Sequence, residues 1–226
     1  MSPTEIAATL ARWTPFLAGG FLWNIVVSLS AMTIGTVLGA LLALLRLSHR
    51  PALCRTGLAL TECARNVPTF VLLFYLAFLI PAEFRIGGAT FAIPEWLKAS
   101  LALAIAVVGF VSDNLSEALP QWRAGDIAAA LLFVPNWTAY FLIIVMASST
   151  ASVIGVGELV SRCNTVIGAV GNPALMLWIY LYAMLWFFLA CYPLTLAMRR
   201  VRRVIARRVR KPAPAAYAAA AARSPR

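Results

Sequence analysis

The stretch ECARNVPTFVLLFYLAFLIP, Glu62 to Pro81, decides how the chain is read. It opens with an acid and an arginine three residues apart, reaches a proline three residues later, and continues as an almost unbroken apolar run. A run of that composition suits lipid, and a paired Glu62 and Arg65 cost less at its mouth than either charge alone. Three residues apart on a helix, the two share a face. Pro68 lacks an amide hydrogen and weakens the hydrogen-bond ladder there. From residue types alone, the group reads equally as a helix lead-in with a snorkelling arginine or as a moving part.

The rest of the sequence agrees with a membrane setting. It has 226 residues, 62% of them hydrophobic, and a mean hydropathy of +0.85. Only 12% are charged, against about 25% in soluble domains. The net charge is +11, and ten of the nineteen Lys and Arg lie from Arg199 onward. That block follows an apolar run directly, which favours a membrane surface over nucleic acid. Cys54, Cys63, Cys163 and Cys191 have no CxxC spacing, and His49 is the one histidine, so the cysteines read as apolar filler and no metal set is expected. The N-terminus has no basic n-region, and its first apolar run is too long for a cleaved signal.

Five spans are expected. The first lies within the uncharged residues 13–45, with WTPFLAGG interfacial. Ala31, Gly35, Gly39 and Ala43 form a small-residue stripe for close helix contact. The second is Pro68 to Ile80 with a helical lead-in. The third runs from Pro94 to Val111, with Lys98 snorkelling to headgroups. The fourth is Pro135 to about Ser148, leaving TASVIGVGEL outside the membrane. The fifth follows Asn172 as N-cap and Pro173 as N1, and ends at Arg199. The fold class is therefore all-α integral membrane, divided as an external segment 1–15, a membrane domain 16–198, a basic amphipathic cytoplasmic helix 199–211 and a disordered tail 212–226. In the basic segment Val201, Val204, Ile205 and Val209 make an apolar stripe suited to the inner leaflet. With the N-terminus outside, fifteen Lys and Arg fall on the cytoplasmic side and four outside, as the positive-inside rule asks. On that topology an impermeant thiol reagent reaches Cys163 but not Cys54 or Cys63.

Four blocks, in order, resemble the permeases of polar amino-acid ATP-binding cassette (ABC) importers: NIVVSLSAMTIGTVLGALLALLRLS, the opening stretch with its E-x-x-R-x-x-P, ASVIGVGEL, and CYPLTLAMRRVRR. The resemblance covers most of residues 18–205. It implies a type I permease core of five or six helices, paired as a homo- or heterodimer. It also implies two cytoplasmic ATPase subunits, an external solute-binding protein, and a bacterial inner-membrane location. No chemistry and no cofactor are expected in this chain. Glu62, Arg65 and Pro68 would brace and bend the second span near the cytoplasmic mouth. Ser149, Ser152, Gly155 and Glu158 fall in the family's external segment.

The third loop departs from that pattern. Asp113, Pro120, Gln121, Trp122 and Ala124 can be laid on the family's coupling segment, but its E-A-A is here Arg123, Ala124 and Gly125. Only 28 residues separate Trp122 from ASVIGV, several helical turns fewer than the family uses. The family's K-D before that block is here Met146 and Ala147. Such a loop has less reach toward an ATPase, and a glycine weakens a helix there. Four readings follow. They are a permease subunit working with a second, coupling-competent permease; a degenerate or regulatory subunit; a membrane-embedded enzyme; and a secondary transporter.

Overall fold

The computed structural model describes residues 2–81, 83–86 and 89–209. Helix α1 spans Pro3–Arg46, 44 residues, or about 66 Å at 1.5 Å per residue. It starts in a capping box, in which Ser2 accepts from the Glu5 amide and Glu5 reaches back to the Ser2 amide. The segment 1–15 is thus the first turns of the same helix, and Pro15 sits inside it. The sequence alone suggests an external segment ending at residue 15, but Ile6, Leu10 and Trp13 within it pack into the smaller apolar cluster.

Helices α2, Pro51–Asn66, and α3, Thr69–Leu79, meet at a 92° bend. An antiparallel hairpin, β1 Glu83–Ile86 and β2 Ala89–Ala92, links α3 to α4. It falls in a connection that the sequence reading left unassigned. Helix α4 is Glu95–Arg123, α5 Ile127–Ala130, and α6 Phe133–Ala147. A 3-10 segment, Ser148–Ile154, leads to α7, Leu159–Val170, and a short 3-10 turn, Pro173–Leu175, precedes α8, Met176–Val209. Asn172 caps that turn, accepting from the Ala174 amide. Among the described residues four helices are long and apolar enough to cross a membrane, and the bent α2–α3 pair makes a fifth if taken as one broken span.

Helix α8 passes Arg199 without a break, so residues 199–209 extend the same helix as the last span. Arg210, Lys211 and the tail 212–226 lie outside the described residues.

Two apolar clusters hold the bundle. The larger joins α1, α3, α4 and α6 through Val27, Met32, Leu73, Leu103, Val107 and Ile144. The smaller joins α1, α7 and α8 through Leu17, Leu159, Val166 and Ile179. The small-residue stripe of α1 faces α4. A Cβ on Gly35 would lie 2.4 Å from Val107 Cβ, and one on Gly39 would lie 2.7 Å from Val111 Cβ. The two backbones approach closely because those side chains are missing.

Lys98 differs from its expected snorkelling role. It is 4% exposed, and its Nζ donates to the Ile80 carbonyl at 2.8 Å. Ile80 is the C-cap of α3, so the lysine satisfies an open helix end.

Candidate functional site

The charges of the opening stretch meet a third helix. Asp113 lies inside α4, two turns beyond Ala106, and not in a loop. Its carboxylate accepts from Arg46, the last residue of α1, and its second oxygen lies 3.1 Å from Arg65 Nη1 on α2. Arg65 also approaches Glu62 at 3.6 Å. Arg46 Nη1 further donates to Ser112 Oγ at 3.2 Å, and that hydroxyl is 2.8 Å from Thr61 Oγ1. One carboxylate therefore ties α1, α2 and α4 at one end of the bundle. Gly109 makes room for the crossing: a Cβ there would stand 2.6 Å from Arg65 Cγ.

Pro68 stands between α2 and α3 as the N-cap of α3, with extended backbone. It occupies a break, where the sequence suggested a weak point within one helix. Lacking an N–H, it is well placed where α2 has already stopped.

Beside this clamp is a polar cavity of about 390 Å³, lined by Arg65, Thr69, Phe110, Asp113, Asn114 and Tyr140. The Phe110 and Tyr140 rings stack at 3.9 Å, and Tyr140 donates to the Ala106 carbonyl. Asn136 on α6 donates to Asn114 Oδ1 at 3.2 Å. The lining offers a guanidinium, a carboxylate, an amide and hydroxyls. Among the described residues no cluster of His, Cys, Asp and Glu could hold a metal ion.

The third connection is short. Pro120, Gln121 and Trp122 are the last turn of α4, and Ala124 is its C-cap. Gly125 takes φ of +83°, and the Gly125 and Asp126 amides donate to the Trp122 and Gln121 carbonyls. That is a Schellman closure, for which glycine is the favoured residue. Gly125 thus stops α4 where the sequence reading had it weakening a coupling helix. Asp126 then caps α5, accepting from the Ala129 amide at 3.0 Å.

At the other end of the bundle, ASVIGVGEL builds a buried polar knot. Asn24 of α1 donates to Ser148 Oγ at 2.9 Å and to Glu158 Oε2 at 3.0 Å, and accepts from the Leu159 amide at 3.1 Å. Glu158 caps α7 through the Val160 and Ser161 amides. Asn24, Ser148 and Glu158 are all 0% exposed. Burial pushes the Glu158 carboxyl above its usual value, against the lowering effect of those amides and Asn24. Ser149 and Ser152 turn their hydroxyls onto the Met146 and Ser149 carbonyls, and Gly155 ends the 3-10 segment at φ +93°. Neither Asn24 nor Arg46 was singled out from sequence; an amide and an arginine in an apolar helix were the available signals.

Cys163 does not fit the labelling expectation. It is 0% exposed, and its thiol is pushed up to about 12 by burial and the nearby Glu158 charge.

No family model matches the chain. A probable glutamine ABC transporter permease protein, GlnP of Bacillus subtilis (strain 168), is 26% identical over 206 residues, 82% of this chain and 92% of the relative. The order and packing of the helices match a chain in the crystal structure of an amino acid ABC transporter with histidines. The TM-score is 0.71 at 18% identity, over 87% of this chain and 97% of that one. The fold is that of a type I ABC importer permease. A chain of the MetNI methionine ABC transporter, in inward facing conformations, shares the permease fold at a TM-score of 0.58 and 20% identity, over 91% and 99% of the two chains. Within this fold the clamp at Asp113 holds the C-terminal end of α1, and the knot at Glu158 holds its middle, 22 residues earlier.

Proposed function

We infer that the chain is the membrane permease subunit of an ATP-driven importer of polar amino acids, and that it works beside a second permease. The observation that carries the transport reading is likeness along nearly the whole length, in sequence to a probable glutamine permease and in fold to an amino acid transporter. The polar cavity at Arg65 and Asp113 supports a polar cargo. ATP hydrolysis resides in a separate cytoplasmic ATPase pair, and an external binding protein delivers the solute. The N-terminus lies outside and the C-terminus in the cytoplasm, on the fifteen-to-four charge split.

A heterodimer is favoured by the third connection. Nine residues, 124–132, separate α4 from α6, and four of them form α5. Four residues of helix rise only about 6 Å, too little to protrude into an ATPase cleft. The partner permease then carries most of the coupling. The test is to reconstitute this chain with the cognate ATPase, with and without a second permease. Solute-stimulated ATP hydrolysis is expected only in the mixed complex. Full stimulation with this chain as sole permease would refute the heterodimer while leaving the transport reading intact, whereas no transport in either mixture would refute both.

A further inference from the structure

A groove between α6 and α8 carries an inference independent of transport. Near one end a cavity of about 360 Å³ is walled by Pro135, Asn136, Ala139 and Met146 on α6 and by Thr195 and Met198 on α8, and closed by Arg199 and Arg202. A second cavity of about 380 Å³ continues it along the same helices, sharing Leu142, Met146 and Thr195 and reaching Phe188 and Met184. On α8 the lining positions recur every three or four residues, so they form one face. From Met184 to Arg202 that face is about 27 Å long, longer than one leaflet's half of a roughly 30 Å hydrocarbon core.

The groove is asymmetric in charge. No acidic residue follows Glu158 anywhere in the sequence, and no acidic residue lines either cavity. Among the described residues no carboxylate pairs with Arg199 or Arg202. Two uncompensated guanidiniums stand at the mouth of an apolar trough in a membrane helix. A phosphodiester fits the guanidinium fork, and acyl chains fit the Leu142, Met146 and Phe188 surface. We propose that the α6–α8 groove is a binding site for one anionic glycerophospholipid, its phosphate on Arg199 and Arg202 and an acyl chain along the trough. Basic pockets between membrane helices take such headgroups. An acidic surface of an ATPase would meet the arginines equally well, but it would leave the apolar trough unfilled.

The test titrates the detergent-purified protein with phosphatidylglycerol or phosphatidylcholine and counts bound lipid by native mass spectrometry. The intact chain is expected to prefer phosphatidylglycerol by about tenfold. Arg199→Gln with Arg202→Gln should remove the preference, and Arg200→Gln with Arg203→Gln, outside the lining, should keep it. Ala139→Trp, which fills the trough and leaves both arginines, should remove the bound lipid. Three results would overturn the proposal: no preference in the intact chain, equal loss in both arginine pairs, or undiminished binding in Ala139→Trp. Folding of each variant is checked by its thermal midpoint and its elution as a single species.

Discussion

At the scale of single residues, Asp113 and Glu158 are two carboxylates with opposite situations. Asp113 is 29% exposed in its side chain and faces two arginines. Asp113→Asn would leave Arg46, only 17% exposed, without its anion. A loss of about 1–3 kcal/mol is expected from removing one partner, read as a lower thermal midpoint in detergent. Arg65→Ala, half exposed, should cost transport more than membrane insertion; equal loss in flux assays and membrane yield would make it a mere anchor. Glu158 is buried with no ion-pair partner among the described residues, and it holds its proton more readily folded than unfolded. Its contribution to stability is therefore fully present below the unfolded pKa, near the ordinary 4.5, and is lost as pH rises through the higher folded value. The thermal midpoint should fall across that window, and Glu158→Gln should flatten the fall. An unchanged slope in the variant would assign the pH response to another group.

At the scale of elements, the contact of α1 with α4 depends on missing side chains. Gly35→Ala should cost about 1–3 kcal/mol by overpacking against Val107. Gly168→Ala, on α7 with nothing within 4 Å of the new Cβ, should instead gain about 0.5–1 kcal/mol. The stripe from Ala31 to Ala43 was legible because its spacing alone puts small residues on one face. Its partner was not, since the Val107 and Val111 side chains look like any others in α4. The same limit applies to charges. Glu62 and Arg65 were readable as neighbours three apart, whereas Arg46 and Asp113 are 67 residues apart in sequence. Lys98 near a helix start reads as a snorkel until the Ile80 carbonyl is seen to accept from its ammonium. The third connection reads as short in the sequence, and the structure gives the physical stop: a glycine at positive φ directly after the Ala124 C-cap. Orientation is checked at this scale too. Cys163 should stay unlabelled by an impermeant maleimide, while Ala169→Cys, exposed on the same helix, should react in intact cells. Reaction of Cys54 in intact cells would invert the topology.

At the scale of the whole molecule, the fold is two clusters sharing one long helix. The larger lies around α4 and the smaller around α7 and α8, and α1 enters both. Asn24 fixes α1 at the buried knot, and Arg46 fixes it at the clamp. The two fixings are 22 residues apart in one unbroken helix, about 33 Å. No proline interrupts that length. A straight helical segment held at Asn24 and at Arg46 links the two sites mechanically, so a tilt at the Arg46 end would carry the α7 cap with it. Between Asn24 and Arg46, α1 is the connecting rod of the bundle.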